Sequence, residues 1–272
     1  MTSVDEIMTR NPVCAGEDDL LTNARSLVRK YKFRVIPVVD DGGKLVGVVS
    51  RRDILQVTST RANLTVKAIM NTNPVFALPG EDTYAVAKKF VETGIRQFPV
   101  INGEADRKVI GIISSKDTLK AFLGQDNGIA PRRGKEIVKK IMVTDVIYCE
   151  QDDELSKVWP MMYDTGITGL PVVEQKKNKK GVKRNDVVGM ITQLDIIKHG
   201  AFRLLRESGR TRSSTVRKIM RTSPITIAPD KSTGEAAELM LKHNIVRLPV
   251  VDDRKGLVGI ITVEDVLRAY AG

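Results

Sequence analysis

The sequence predicts a mixed α/β (α+β) protein built from four copies of a strand-helix-strand-strand-helix unit, paired into two modules. Three recurring observations predict it. Ile-Met occurs four times, ending at Met8, Met70, Met142 and Met220. Each Met is followed, 29 residues later, by a proline in an apolar run: Pro37, Pro99, Pro171 and Pro249. Each proline is followed by a glycine, two apolar residues and Ser/Thr-x-x-Asp, spanning Gly47 to Asp53, Gly111 to Asp117, Gly189 to Asp195 and Gly259 to Asp265.

The elements follow in chain order within each unit. A short apolar strand comes after Ile-Met, such as Pro12 to Ala15 in the first copy. An amphipathic helix is next, with Leu20, Leu21, Ala24, Leu27, Val28 and Tyr31 at helical spacing, and Leu155, Val158, Trp159 and Met162 in the third copy. Gly94, Gly166 and Asn244 stand five residues before their prolines and suit the left-handed end of that helix; Lys32 stands there in the first copy and suits it less. Two nearly all-apolar strands follow, Val35 to Val39 and Leu45 to Val49 in the first copy, with both faces expected to be buried. Proline within the first of them predicts a strand start or an unpaired edge position. The turns between the strands carry Asp40-Asp41-Gly42-Gly43 and Asp252 to Gly256. Ser/Thr-x-x-Asp then opens a second helix.

One unit of roughly 55 residues is marginal alone, which favours pairing. The segment 57–64 joins the first two copies briefly, whereas 124–134 is rich in glycine and turn formers. The expected modules are therefore 1–124, with repeats at about 4–58 and 66–123, and 134–272, with repeats at about 137–200 and 216–271.

Composition narrows the function. Hydrophobic residues make up 42% and aromatics 4%, so aliphatic side chains must fill the cores. No apolar run approaches the roughly 20 residues of a membrane span, and the N-terminus carries no signal-peptide pattern, so a cytoplasmic protein without membrane contact is expected. Cys14 and Cys149 lie in apolar stretches and are expected as reduced core residues. No phosphate-loop, Cys-x-x-Cys or His-Glu-x-x-His pattern is present, and His199 and His243 are the two histidines. No metal, cofactor or catalytic residue is expected, and the chain is expected not to be an enzyme.

Ile-Met, the proline strand and Gly-apolar-apolar-Ser/Thr-x-x-Asp together resemble the cystathionine-beta-synthase (CBS) domain over nearly the whole chain. The four-repeat layout is similar to that of the gamma subunit of the AMP-activated protein kinase and of stand-alone archaeal CBS proteins. That resemblance implies two Bateman modules, each with a pseudo-twofold axis and two ligand clefts, and a flat disc when two modules assemble. Ser/Thr-x-x-Asp by itself describes a helix cap. The resemblance adds a ligand role: Asp53, Asp117, Asp195 and Asp265 would accept a ribose diol, with Ser50, Ser114, Thr192 and Thr262 meeting ribose or phosphate. It also implies phosphate contacts from residues just before the proline and just before the Asp, here Arg34, Arg52, Arg96, Lys116 and Arg247. Thr168, Leu194 and Glu264 stand at the remaining matching places.

The expected function is a sensor or regulator that binds AMP, ADP or ATP and changes its contacts with an unidentified partner protein or through self-association as a homo-oligomer. S-adenosylmethionine and methylthioadenosine are alternative ligands. The net charge of +11 keeps nucleic-acid binding open as the alternative function. Its basic segments would be 176–184, expected as a solvent-exposed hairpin tip not needed for folding, and 203–218. The few aromatics available to stack bases weigh against it.

Overall fold

The computed structural model describes residues 2–31, 33–56, 64–124, 135–177, 181, 183–198 and 214–271. The expected helix end at Lys32, most of both linkers, His199 and the arginines between 203 and 212 lie outside them. The chain divides into two compact units, residues 1–131 with 267–272, and residues 132–266. Among the described residues no helix is long and apolar enough to cross a membrane.

In the first unit, β3 (Val35–Val39) and β4 (Leu45–Ser50) form an antiparallel hairpin, and β5 (Gln97–Ile101) with β6 (Val109–Ser114) repeats it. The helices Leu21–Tyr31 and Thr83–Thr93 precede these hairpins, and Arg51–Gln56 and Ser115–Gly124 follow them. The turn between β3 and β4 closes because Asp40 Oδ1 accepts from the amides of Gly42 and Lys44, each at 2.9 Å. Each hairpin carries a register shift two residues after its proline, between Val38 and Val39 and between Val100 and Ile101.

The two repeats exchange their leading segments. β1 (Thr9–Arg10), which follows Met8, pairs with β6 of the second repeat rather than with its own hairpin. Reciprocally, Asn71, which follows Met70, bridges Val48 in β4 of the first repeat. The exchange extends to the helices: the Leu21 amide donates to Leu64 O at 2.8 Å, and the Val4 amide to Glu81 O at 2.9 Å. The core of the first repeat therefore contains Val66 of the second, packed with Leu21, Ala24, Val28, Ile36, Val38, Val49 and Ile54.

This exchange explains why Met and Gly recur together. A β-carbon on Gly47 would lie 2.8 Å from Asn71 O and 2.9 Å from Met70 Sδ. One on Gly111 would collide with Met8 Sδ. Each Met thus seats over the glycine of the other repeat, where any side chain would push the exchanged segment away.

The second unit is built the same way. β8 (Gly169–Lys177) pairs with β9 (Lys183–Thr192), and β11 (Arg247–Val251) with β12 (Leu257–Thr262). β10 (Arg221–Thr222) lies antiparallel on β9, and Val143 bridges Ile260 of β12. A β-carbon on Gly189 would meet Arg221 O at 2.9 Å, and one on Gly259 would meet Met142 Sδ at 2.5 Å.

Several expectations are corrected. The first strand is narrower than Pro12 to Ala15: β2 comprises Ala15–Gly16, parallel to β3, and β7 (Cys149–Glu150) is its counterpart beside β8. Leu20 and Tyr31 are 45% and 44% exposed, so the first helix buries Leu21, Ala24 and Val28 instead of the six-residue stripe. Leu20 lies outside that face because its backbone bridges Thr65 ahead of the helix. The prolines sit mid-strand, not at a strand start. Pro99 and Pro249 lie in β5 and β11, each the outer strand of its sheet, so the edge alternative holds for them. β4 buries only alternate residues, leaving Val46, Val48 and Ser50 half-buried. The helix ends are as expected at Gly94, Gly166 and Asn244, with φ of 66°, 70° and 53°.

Residues 175–177 and 183–185, expected in a hairpin tip, are strand: Gln175 pairs with Asn185, Lys176 with Arg184 and Lys177 with Lys183. The side chains of Lys176 and Arg184 close on buried Asp186, with Lys176 Nζ at 3.1 Å and Arg184 Nη2 at 3.0 Å. Arg184 first, and then Lys176, hold Asp186 below the ordinary carboxylate range.

Candidate ligand-binding site

Every Ser/Thr-x-x-Asp element folds into one geometry. Asp53 Oδ2 accepts the Ser50 amide at 2.9 Å and the Ser50 hydroxyl at 2.6 Å, while the Asp53 amide donates to Ser50 Oγ at 3.2 Å. Ser114 with Asp117 gives 2.8, 2.6 and 3.4 Å for the same three contacts. Thr192 with Asp195 gives 3.0, 2.5 and 3.3 Å. Thr262 with Asp265 gives 2.9, 2.7 and 3.4 Å. These contacts make the cap anticipated from sequence, and they use one carboxylate oxygen. Oδ1 of Asp53 and of Asp117 accepts no hydrogen bond among the described residues. An acceptor of that kind, fixed by its own cap, can take a ligand diol.

The register of the basic residues follows from backbone bonds. The residue after each Ser/Thr donates its amide to the carbonyl of one residue on the strand before the proline. Arg51 N meets Arg34 O at 2.8 Å and Ser115 N meets Arg96 O at 3.1 Å. Gln193 N meets Thr168 O at 3.1 Å and Val263 N meets Val246 O at 3.1 Å. Arg34, Arg96, Thr168 and Val246 are therefore equivalent. Arg247 sits one place further on, at the position of Val35, Gln97 and Gly169. Its side chain is buried and donates to Gly169 O and Thr168 Oγ1. Arg247 stands two residues before its proline and Arg34 and Arg96 three before theirs, and a one-residue offset turns a strand side chain to the other face.

In the first unit Lys116 is half-buried. Its pKa is lowered first by burial and then by the charge of Arg34, against the opposing pull of Asp117. Two cations from different repeats thus share one half-buried patch beside a motif acid. Arg34 and Arg96 are half-buried, and Arg52 is exposed. The second unit has Leu194 and Glu264 in the places of Arg52 and Lys116, with Glu264 buried.

Two arginines were missed by sequence reasoning. Arg51 is drawn inward, donating from Nε and Nη2 to Phe33 O at 3.0 and 2.8 Å, and burial lowers its pKa. Arg221 donates from Nε and Nη2 to Asp195 Oδ1, both at 3.0 Å. Its signal was available: it directly follows Met220, where the other repeats carry Thr9, Asn71 and Val143.

The basic segments are partly neutralised within the chain. Besides the two cations on Asp186, Arg217 donates to Asp152 Oδ1 from Nε at 3.1 Å and from Nη2 at 2.9 Å. Cys149 is buried and its thiol is pushed up to about 12, chiefly by burial, so it is an inert core residue. Among the described residues no three His, Cys, Asp or Glu side chains gather as a metal site.

The CBS domain family model matches residues 4–59, 66–124, 138–201 and 216–272. Protein MJ1404 of Methanocaldococcus jannaschii is 29% identical over 98% of this chain, which spans 62% of that protein's length. MJ1225 of the same organism is 26% identical over 98% of this chain and 96% of its own. The crystal structure of MJ1225, itself proposed to be an archaeal homolog of g-AMPK, superposes with a TM-score of 0.81 at 24% identity, covering 98% of this chain and 99% of that one. An uncharacterised conserved protein from Pyrococcus horikoshii gives a TM-score of 0.68 at 21% identity, covering 99% of this chain and 100% of that one. Both superpositions concern the fold.

Proposed function

The chain belongs to the CBS-domain family, and on that premise we propose that it is a regulatory protein, not an enzyme, that binds an adenine nucleotide (AMP, ADP or ATP) and signals through ligand-dependent contacts with a partner. The observation that carries this is the Arg34–Lys116 pair. Burial and the neighbouring charge of Arg34 both disfavour the charged form of Lys116, and a phosphate drawn to this place would favour it. Asp117, next to Lys116 in sequence, offers its second oxygen to a ribose diol, so one cleft presents acceptors for sugar and donors for phosphate. Asp53 with Arg52 and Arg96 supplies the same set of groups for a second cleft. Nucleic-acid binding is less well supported, because Lys176, Arg184 and Arg217 are engaged by acids of the chain itself.

Calorimetric titration of the full chain with AMP, ADP, ATP, adenosine, S-adenosylmethionine and methylthioadenosine tests the proposal. Phosphorylated ligands are expected to bind the first module most tightly, and Asp117→Asn to weaken them. Affinity for all six compounds left unchanged by Asp→Asn at each of the four motif acids in turn would refute the ribose role.

A further inference from the structure

Asp195 differs from Asp53 and Asp117 in having both carboxylate oxygens occupied. Thr192 holds Oδ2, with its amide at 3.0 Å and its hydroxyl at 2.5 Å. Arg221 holds Oδ1 through two nitrogens, each at 3.0 Å. The two partners differ in exposure: the Asp195 side chain is 8% exposed and that of Arg221 58%. The guanidinium therefore covers a nearly buried oxygen from the solvent side. The Arg221 backbone is pinned to β9 by pairing with Met190, and its carbonyl seats against Gly189, so the side chain can swing while its Cα stays in place. Thr9, Asn71 and Val143, at the matching place in the other repeats, carry no charge. In the same unit Leu194 and Val246 stand where the first unit has Arg52 and Arg96, so these two places offer a phosphate no cation.

We infer that Arg221 sets the ligand specificity of the Asp195 cleft. In the free chain it fills the oxygen that a ribose diol needs; when a nucleotide arrives it leaves Asp195 and takes the phosphate. The inference rests on the nucleotide-binding function proposed above and names the phosphorylated ligand at one cleft. An ion pair open to water on one side is held weakly, so displacing it is a small barrier for any ligand. The fate of the displaced guanidinium separates the ligands. A phosphate presents the planar fork with a bidentate anion as good as the carboxylate it left. An unphosphorylated nucleoside takes the carboxylate oxygen and returns the guanidinium to water. The cleft thereby selects for phosphate with a charge that, in the free chain, is neutralised by the ribose acid itself.

The test uses the full chain with Asp53, Asp117 and Asp265 changed to Asn, leaving Asp195 as the one motif carboxylate. Asn keeps an acceptor for the cap and removes the charge. AMP and adenosine are titrated calorimetrically before and after Arg221→Gln. AMP is expected to weaken about tenfold on losing a charge-assisted contact. Adenosine is expected to bind about threefold more tightly on losing its competitor. Arg221→Lys is expected to restore part of the AMP preference. Circular-dichroism melts confirm folding, since Arg221 is largely exposed. An unchanged ratio of AMP to adenosine affinity overturns the latch while nucleotide binding stands, and so does loss of all binding in the triple variant when the natural chain binds. Failure of the natural chain to bind any adenosine compound overturns both.

Discussion

The two units carry one fold and two opposite electrostatic solutions. In the first, Arg34 and Lys116 lie near Asp117, Arg52 directly precedes Asp53, Arg96 matches Arg34, and the second oxygens of Asp53 and Asp117 accept nothing from the described residues. In the second, Thr168, Glu264, Leu194 and Val246 stand in those places, and two further arginines are engaged within the unit: buried Arg247 by Thr168 and Gly169, and exposed Arg221 by Asp195. The first unit sets cations at these places; the second sets neutral or acidic side chains there and pairs Arg221 with Asp195. A pseudo-symmetric scaffold thus allows its clefts to diverge through a handful of side chains, because the caps, hairpins and exchanged segments that hold them are identical in plan.

The comparison breaks most readily at Lys116. Lys116→Glu gives the first unit the residue that the second has at this place. AMP affinity in the first module is expected to fall roughly 10- to 100-fold, with adenosine much less affected, from the loss of charged contacts and the addition of like charge. Equal losses for both ligands, measured by calorimetry, would show a general disruption of the cleft.

Glycine substitutions should act on both units alike, because the exchange of leading segments is common to them. Gly47→Ala places a methyl 2.8 Å from a backbone carbonyl oxygen, and Gly189→Ala one at 2.9 Å. Each is expected to cost about 1–3 kcal/mol in denaturant unfolding. Gly111→Ala meets a flexible sulfur first, so shortening that side chain with Met8→Ala should recover part of its loss. A harmless Gly47→Ala would show that the segments are not locked.

Proton linkage sharpens the contrast at smaller amplitude. Lys116 has a lowered pKa in the free chain, so at alkaline pH part of it is neutral; a bound phosphate favours its charged form and raises that pKa. AMP binding to the first module should therefore take up a fraction of a proton at alkaline pH. Its affinity should fall as pH rises through the lowered value towards the ordinary lysine range near about 10.4. Titrations in two buffers of different ionisation enthalpy measure the uptake, and Lys116→Met should abolish it.

The smallest effects belong to the extended hairpin. Replacing residues 177–183 by a short turn, with Lys176 and Arg184 kept, should leave the melting temperature nearly unchanged. Removing those two as well leaves buried Asp186 without its ion-pair partners. The loss is expected to be modest, since both cations are partly exposed. The carboxylate is favoured in the folded state, so the contribution exists above its unfolded pKa, near about 3.9, and disappears as pH falls through the lowered folded value. Urea melts at neutral pH and near pH 3 should show the gap between the two hairpin variants closing in acid.

Much of this is legible in the sequence because repetition turns weak local signals into a strong one. Hairpins, helix ends at Gly94, Gly166 and Asn244, and the Ser/Thr-x-x-Asp caps all depend on neighbours close in the chain. The features that escape a reading of the sequence depend on contacts across repeats. Nothing near Met8 announces that it covers Gly111, and nothing near Arg221 announces Asp195, 26 residues earlier. The offset of Arg247, two residues before Pro249 where Arg34 is three before Pro37, can be counted in the sequence, but its turn onto Thr168 and Gly169 cannot. Lys176 and Arg184 read as tip residues because their charge masks the strand pairing that Asp186 makes favourable.

The exchanged leading segments also set an order in time. A chain made from its N-terminus at about 5–20 residues per second presents Met8 long before Gly111 exists, a wait on the order of 5–20 seconds. Met70 waits for nothing, since the strand it covers, β4, is already made. Each module is therefore sealed by its first-made piece finding its last-made strand, and the nascent first repeat leaves the ribosome with its own opening segment still unplaced.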